Sequence, residues 1–276
     1  MEQDGEAHSV NITSQCRKIT NLTAMQIEHL KRIEVSLPFV ADLAHAYLYL
    51  YVQTKEPGKM LVLKHYRPHT FFSEVELTGE GAFVSTLEEP LIAAAFAKGK
   101  FIQGQREWRF GINLEMYVQP IKCGNDVIGV VSLETGHSYA NSSNYHQLMD
   151  TALYLLDYAK KPLDKDEFHP MSPGTGIIIA DSNNRIVFAN LSANRIYRAL
   201  GIASLVGCRM QDRELSAMLH KETIDSSRPY EREIQIRDFV LVQRDIKLEE
   251  AGMLKRRIMP LSDLNLNLDA TDPQIT

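Results

Sequence analysis

The sequence predicts an α+β protein of two small domains, each an antiparallel sheet flanked by helices. Three observations carry that prediction. Short apolar strand patterns recur in hairpin pairs on both sides of the middle of the chain. Stretches with apolar residues at helical spacing separate them. Between the halves, residues 161–176 (KPLDKDEFHPMSPGTG) hold three prolines, a run of charged residues from Asp164 to Glu167, and little apolar content, which marks a linker.

In chain order, residues 1–19 lack sustained periodicity and read as a flexible tail. Thr20 to Thr23 offers helix caps ahead of Ile27, Leu30, Ile33, Leu37 and Val40, which share one helical face. Pro38 lies inside that pattern and predicts a break there. Ala46–Val52 is aromatic and aliphatic without helical period, hence a strand, and Met60–Tyr66 beyond the Glu56-Pro57-Gly58-Lys59 turn is its hairpin partner. Residues 67–82 read as loop with a short strand at 74–77. Pro90 suits the first turn of a helix through Ala97 that Gly99 ends. A loop around Trp108 follows, then strands Leu114–Ile121 and Val127–Glu134 joined by the Cys123-Gly124-Asn125-Asp126 turn. Ser143 to Lys160 closes the first half as a helix. In the second half, Gly176–Ala180, a turn over Asp181–Asn184, and Arg185–Asn190 form a hairpin. Helix follows over Ala193–Leu200 and Leu215–His220, then strands Glu231–Ile236, Phe239–Leu248 and Leu254–Leu261, and a polar tail.

The 276 residues suffice for two cores. The apolar share of 44% and charged share of 24% are ordinary for a globular chain. A net charge of −5, with nothing more basic than Lys255-Arg256-Arg257, argues against direct nucleic-acid binding. Cys16, Cys123 and Cys208 are odd in number and far apart, which suits a reducing, cytoplasmic setting. The acidic start carries no signal-peptide pattern, and no run approaches the roughly 18 apolar residues of a membrane span.

The chain lacks GxGxxG, GxxxxGK[ST], HExxH and GxSxG. No catalytic residue, cofactor or metal is expected. His65 and His69 have the spacing of two metal ligands on a helix, but Pro68 and the preceding strand oppose a helix there. His45, at a helix C-terminus, is read as a packing histidine whose protonated form the helix dipole favours. Arg106-Glu107-Trp108 groups an arginine, a carboxylate and an indole, which can line a small-molecule pocket or plug a sheet edge. Tyr47, Tyr49 and Tyr51 alternate on one strand face, as core or as pocket wall. The ligand-binding candidates are Arg106, Glu107, Trp108, Tyr49 and His65.

Residues 23–158 resemble the N-terminal GAF-type sensor domain of the soluble PdtaS-type histidine kinases. The resemblance rests on Leu37–Val52, Glu89-Pro90-Leu91 with Ala95-Phe96 and Gly99, Arg106-Glu107-Trp108 with Gly111, and Gln119-Pro120-Ile121 with Ile128–Glu134. Gly176–Ala180, Ile186–Asn190, Ala193-Asn194, Gly207 and Ile258–Leu261 are similar to the PAS-like domain that follows in that family. The expected layout is a tail over 1–19, a GAF-like domain over 20–160, a linker over 161–175, a PAS-like domain over 176–262 lacking a last strand, and a tail over 263–276. The resemblance implies a cytoplasmic two-component sensor, a homodimer, a small-molecule signal, and a cognate kinase or an antitermination response regulator as partner. The family's phospho-accepting stretch, HHRVKNNLQ-like, and its ATP-binding domain have no counterpart here; the last histidine is His220. The expectation is therefore a module that receives a signal without phosphorylating, either a truncated kinase or a stand-alone sensor. A ligand-free dimerisation partner of an intact kinase is the alternative.

Overall fold

The computed structural model describes residues 11–70, 78–109, 111–136, 145–158, 170–199, 201–210, 212, 230–236, 239–250 and 253–263. The expected strand at 74–77 and helix over Leu215–His220 lie outside these residues. The chain forms two compact units, the first holding β1–β6 and the second β7–β11.

The first unit begins earlier than the sequence pattern indicates. Residues read as tail contain helix α1 (Ile12–Ile19), capped by Asn11, whose side chain accepts from Ser14 N at 3.2 Å. Its apolar contribution is only Ile12, Cys16 and Ile19, too few for a periodic signal, yet Ile12 and Cys16 are buried. Helix α2 (Ala24–Glu34) starts in a capping box: Thr23 Oγ1 accepts from Gln26 N, and Gln26 Oε1 accepts from Thr23 N. The chain breaks at Val35-Ser36 and restarts as α3 (Leu37–Ala44), with Pro38 in the first turn, where its missing N–H costs nothing.

The sheet is antiparallel, in the order β3-β2-β1-β6-β5-β4. Strand β1 (Tyr47–Gln53) lies inside it, beside β2 (Lys59–Tyr66) and β6 (Asp126–Gly136). Both faces of β1 are covered: Leu48, Leu50 and Val52 on one, Tyr47, Tyr49 and Tyr51 on the other. Helix α2 packs on the leucine face, where Leu30 lies so close to Gly129 that a Cβ there would meet it at 3.1 Å. Tyr145, opening α5 (Tyr145–Tyr158), also covers that face, its ring 6.5 Å from Tyr117 and tilted by 58°, and its hydroxyl donating to Ala44 O at 2.7 Å. Helix α4 (Pro90–Lys98) covers the tyrosine face and ends in the left-handed Gly99.

Two strands of this sheet were not anticipated. Strand β3 (Phe83–Ser85) is a three-residue edge on β2. More important, the stretch read as a loop around Trp108 is strand β4 (Ile102–Arg109), paired with β5 (Ile112–Cys123). Its outward residues Gln103, Gln105 and Glu107 are exposed, and its inward residues include Gly104 and Arg106, so neither face has the apolar alternation that announces a strand.

The second unit is a five-stranded antiparallel sheet, β8-β7-β11-β10-β9, formed by β7 (Gly176–Asp181), β8 (Ile186–Ala189), β9 (Tyr230–Ile236), β10 (Phe239–Glu250) and β11 (Met253–Asp263). Here β11 pairs on both sides, Ile258 opposite Ile246 and Ile179. The strand expected at Leu254–Leu261 is β11, which lies between β7 and β10, and the expectation of a missing strand beyond it falls outside the described residues. Helix α6 (Leu191–Ala199) packs Ala193, Ile196 and Tyr197 onto Ile178, Ala180, Met259 and Leu261. Asn190 fastens its start: Oδ1 accepts from Ile177 N and Ala193 N, both at 2.9 Å, and Nδ2 donates to Thr175 O at 2.8 Å.

Candidate functional site

The register of the first sheet decides what meets on its tyrosine face. Residues directly opposite in an antiparallel pair project to the same side. Tyr47 lies opposite Glu134, Tyr49 opposite Ser132, and Met116 of β5 opposite Glu134. Gly104 lies opposite Met116 and Arg106 opposite Leu114, so Arg106 joins that face from β4. At Gly104 a Cβ would stand 2.8 Å from Leu91 of α4. The missing side chain lets α4 approach, and with it Glu89, which holds the N-cap position without a capping side-chain bond.

The result is a clasp of three charges. Arg106 Nη1 donates to Glu89 Oε1 at 2.6 Å, and Nη2 donates to Glu134 Oε2. Ser132 Oγ donates to Glu134 Oε1 at 3.0 Å. Glu134 is 1% exposed. Arg106 Nε is buried and meets no acceptor among the described residues. One guanidinium thus serves two buried carboxylates, leaving a surplus of negative charge in a setting poor in water. Burial pushes the Glu134 carboxyl up to about 7 despite Arg106, with Glu89 adding to the rise. Burial also raises Glu89 above its ordinary range, against the pull of Arg106. Burial disfavours the charge of Arg106, but Glu134 and Glu89 outweigh it and hold the guanidinium charged. Burial and the nearby Glu134 likewise raise the Tyr49 and Tyr51 hydroxyls, so both stay protonated.

Of the five candidates, the structure unites Arg106 and Tyr49. The Tyr49 ring lies 6.0 Å from Tyr51 and 6.4 Å from His65, which pairs with Tyr49 across β1 and β2. His65 therefore borders the site. Desolvation lowers its pKa, so it favours the neutral ring. Glu107 is exposed on the other side of β4 and accepts from Gly111 N at 3.0 Å, which shapes the β4–β5 turn rather than the clasp. The side chain of Trp108 lies outside what is described. Arg106 reaches Glu89 and Glu134 rather than its neighbour Glu107. Those two were missed, although each left a sign: Glu134 is a carboxylate ending an apolar strand, and Glu89 precedes a helix-opening proline.

His45 also departs from expectation. It ends α3 in the left-handed conformation (φ 46°), and burial lowers its pKa to about 4. Desolvation outweighs the helix dipole, and the ring is neutral. Burial pushes the Cys16 thiol up to about 11, away from the thiolate. Among the described residues no group of three or more His, Cys, Asp or Glu side chains could hold a metal ion, and no helix is long and apolar enough to cross a membrane.

With this geometry in place, comparison with known proteins is decisive for the first unit. Residues 12–152 match the family described as "Histidine kinase PdtaS, GAF domain". The chain belongs to this family. It carries a PdtaS GAF sensor domain, with the α+β architecture seen here. A solved structure described as "Sensor region of a sensor histidine kinase" is similar over 92% of this chain and 98% of its own, at 18% identity and a TM-score of 0.62. Weaker likenesses are the GAF domain of an Acinetobacter phosphoenolpyruvate-protein phosphotransferase (13% identity, 50% of this chain and 94% of that one, TM-score 0.31) and the PAS domain of Bordetella pertussis BvgS (14%, 35% and 80%, 0.27). No curated protein sequence matches this PdtaS GAF chain.

Proposed function

We propose that the chain is a cytoplasmic sensory module of two-component signalling, in which a small-molecule signal acts on the tyrosine face of the GAF unit and alters the geometry of a homodimer. The observation that carries this reading is the clasp. A sensor family's sheet here places a guanidinium, two carboxylates and tyrosine hydroxyls together beneath one short helix, where directed polar contacts gain strength from exclusion of water. The second unit acts as a PAS-like module. Support comes from its five-stranded antiparallel sheet, in which the first and last strands lie side by side in the middle. The chain receives the signal without transferring phosphate, and its partner is a cognate kinase or an antitermination response regulator.

The test is a thermal-shift screen of the purified chain over metabolites and cyclic nucleotides, repeated on Arg106→Met. A ligand that binds only the folded state raises the melting temperature by mass action. A compound that stabilises the wild type and not the variant supports the site, and one that stabilises both equally removes it from the clasp. A second reading has its own observation: Tyr49, Tyr51 and Glu134 are each at most 4% exposed, which suits a filled core in a ligand-free dimerisation partner. That reading expects a flat screen and mixed dimers with an intact relative, measured by light scattering.

A further inference from the structure

We propose that the clasp is a proton-coupled latch: when Arg106 and the first turn of α4 swing away from Glu134, Glu134 takes up a proton. This concerns the regulation of the face proposed above as the signal site. Its test contains no ligand, so it can fail while that reading stands.

The argument starts from what surrounds Glu134. The carboxylate lies within the sheet, on β6 between β1 and β5, and is 1% exposed. From β1 it faces Tyr47, with Tyr49 and Tyr51 along the same strand. From β5 the same face offers Leu114, Met116 and Val118, none of them titratable. From β6 it has the Ser132 hydroxyl. The end of α4 brings Glu89, of like charge, while the buried residues of the helix itself, Ile92, Ala95 and Phe96, are apolar. His65 on β2 borders Tyr49, and desolvation keeps it on the neutral side. Arg106 on β4 is thus the cation this cluster supplies to Glu134.

Arg106 is also the part that can move. Its side chain is 25% exposed, on an edge strand, and its other carboxylate partner, Glu89, sits at a helix end. If Arg106 follows Glu89 outward, Glu134 keeps its place in the sheet and loses its counter-charge. An isolated buried carboxylate is costly, and such a group neutralises instead. The open state therefore binds a proton more tightly than the closed one. Because the closed-state carboxyl already titrates near neutrality, the linkage falls in an ordinary pH range. Opening becomes easier as pH falls from alkaline values toward 7, and levels off below.

The experiment is hydrogen exchange of the full chain between pH 9 and 6, corrected for intrinsic exchange, read at the amides of Ala93 to Phe96 in α4. The wild type is expected to lose protection about tenfold as pH falls across each unit by which the open-state pKa exceeds the closed one. Glu134→Gln, a neutral isostere, is expected to show a flat profile at the low level. A wild-type profile that is flat, or that rises as pH falls, overturns the proposal. So does an unchanged slope in the variant. Carbon-13 titration of the Glu134 carboxyl in wild type and Arg106→Met tests the same linkage without the Gln variant. The midpoint is expected to rise when Arg106 is removed. A midpoint that stays or falls means that water or another group replaces the guanidinium, and that the latch does not exist.

Discussion

Replacing Arg106 by methionine isolates the energetics of the clasp. The substitution keeps a long apolar stem in β4 and removes the guanidinium, leaving Glu89 (9% exposed) and Glu134 (1%) facing each other without a cation. Breaking a buried pair by deleting one partner costs about 3–5 kcal/mol. Here neutralisation of Glu134 relieves part of that cost, because its carboxyl already titrates near 7. The expected loss is about 3 kcal/mol at pH 8 and about half of that at pH 6. The sequence's single tryptophan, Trp108, lies in β4, so urea denaturation followed by its fluorescence reports on the first unit. The double variant Arg106→Met/Glu134→Gln removes the stranded charge together with its partner. It is expected to recover about 2 kcal/mol of the loss at pH 8. A single-variant loss below about 1 kcal/mol at pH 8, or a double variant as unstable as the single, would refute the argument, since either means the carboxylates do not depend on Arg106.

Three further outcomes follow from the same structure. Glu134 rises from the ordinary 4.5 to about 7 on folding, so its stabilising contribution is complete below pH 4.5 and is lost as pH climbs through 7, a change of about 3 kcal/mol; Glu134→Gln should flatten the fluorescence-detected stability profile over that window. Asn190→Ala removes three hydrogen bonds at the start of α6 and should cost the second unit about 2 kcal/mol, seen in denaturation followed by circular dichroism. Glu107→Ala should shift stability by less than about 0.5 kcal/mol, because the residue is exposed and serves only the Gly111 turn; a large loss would return Glu107 to the candidate site.

What could be read ahead of the structure follows a physical line. Both β1–β2 and β5–β6 announce themselves because their burial is carried by side chains: tyrosine, leucine and valine on faces that alternate along the strand. Thr23 and Pro38 mark the helix starts because capping is a local interaction between residues three or four apart. Strand β4 was hidden for the opposite reason. Its inward face holds a glycine that exists to admit Leu91, and an arginine whose partners are 17 and 28 residues away in sequence. Neither has a periodic signature.

The same reasoning explains why Arg106 could be suspected and its partners could not. A polar cluster beside the only tryptophan draws attention to itself locally, and adjacency in sequence suggests Glu107 as a partner for Arg106. Strand alternation forbids that pairing, because adjacent residues project to opposite faces. Once β4 is known to be a strand, Arg106 must point inward and Glu107 outward. The charge that Arg106 meets is then set by the β4–β5–β6 register, which brings Leu114, Met116 and Glu134 beneath α4. A half-buried arginine needs carboxylates on its own face, and in this sheet the register and the start of α4 supply Glu134 and Glu89. The clasp is thus a property of pairing between distant strands, and its dependence on Glu134 makes proton activity a variable of the buried tyrosine face rather than of the surface.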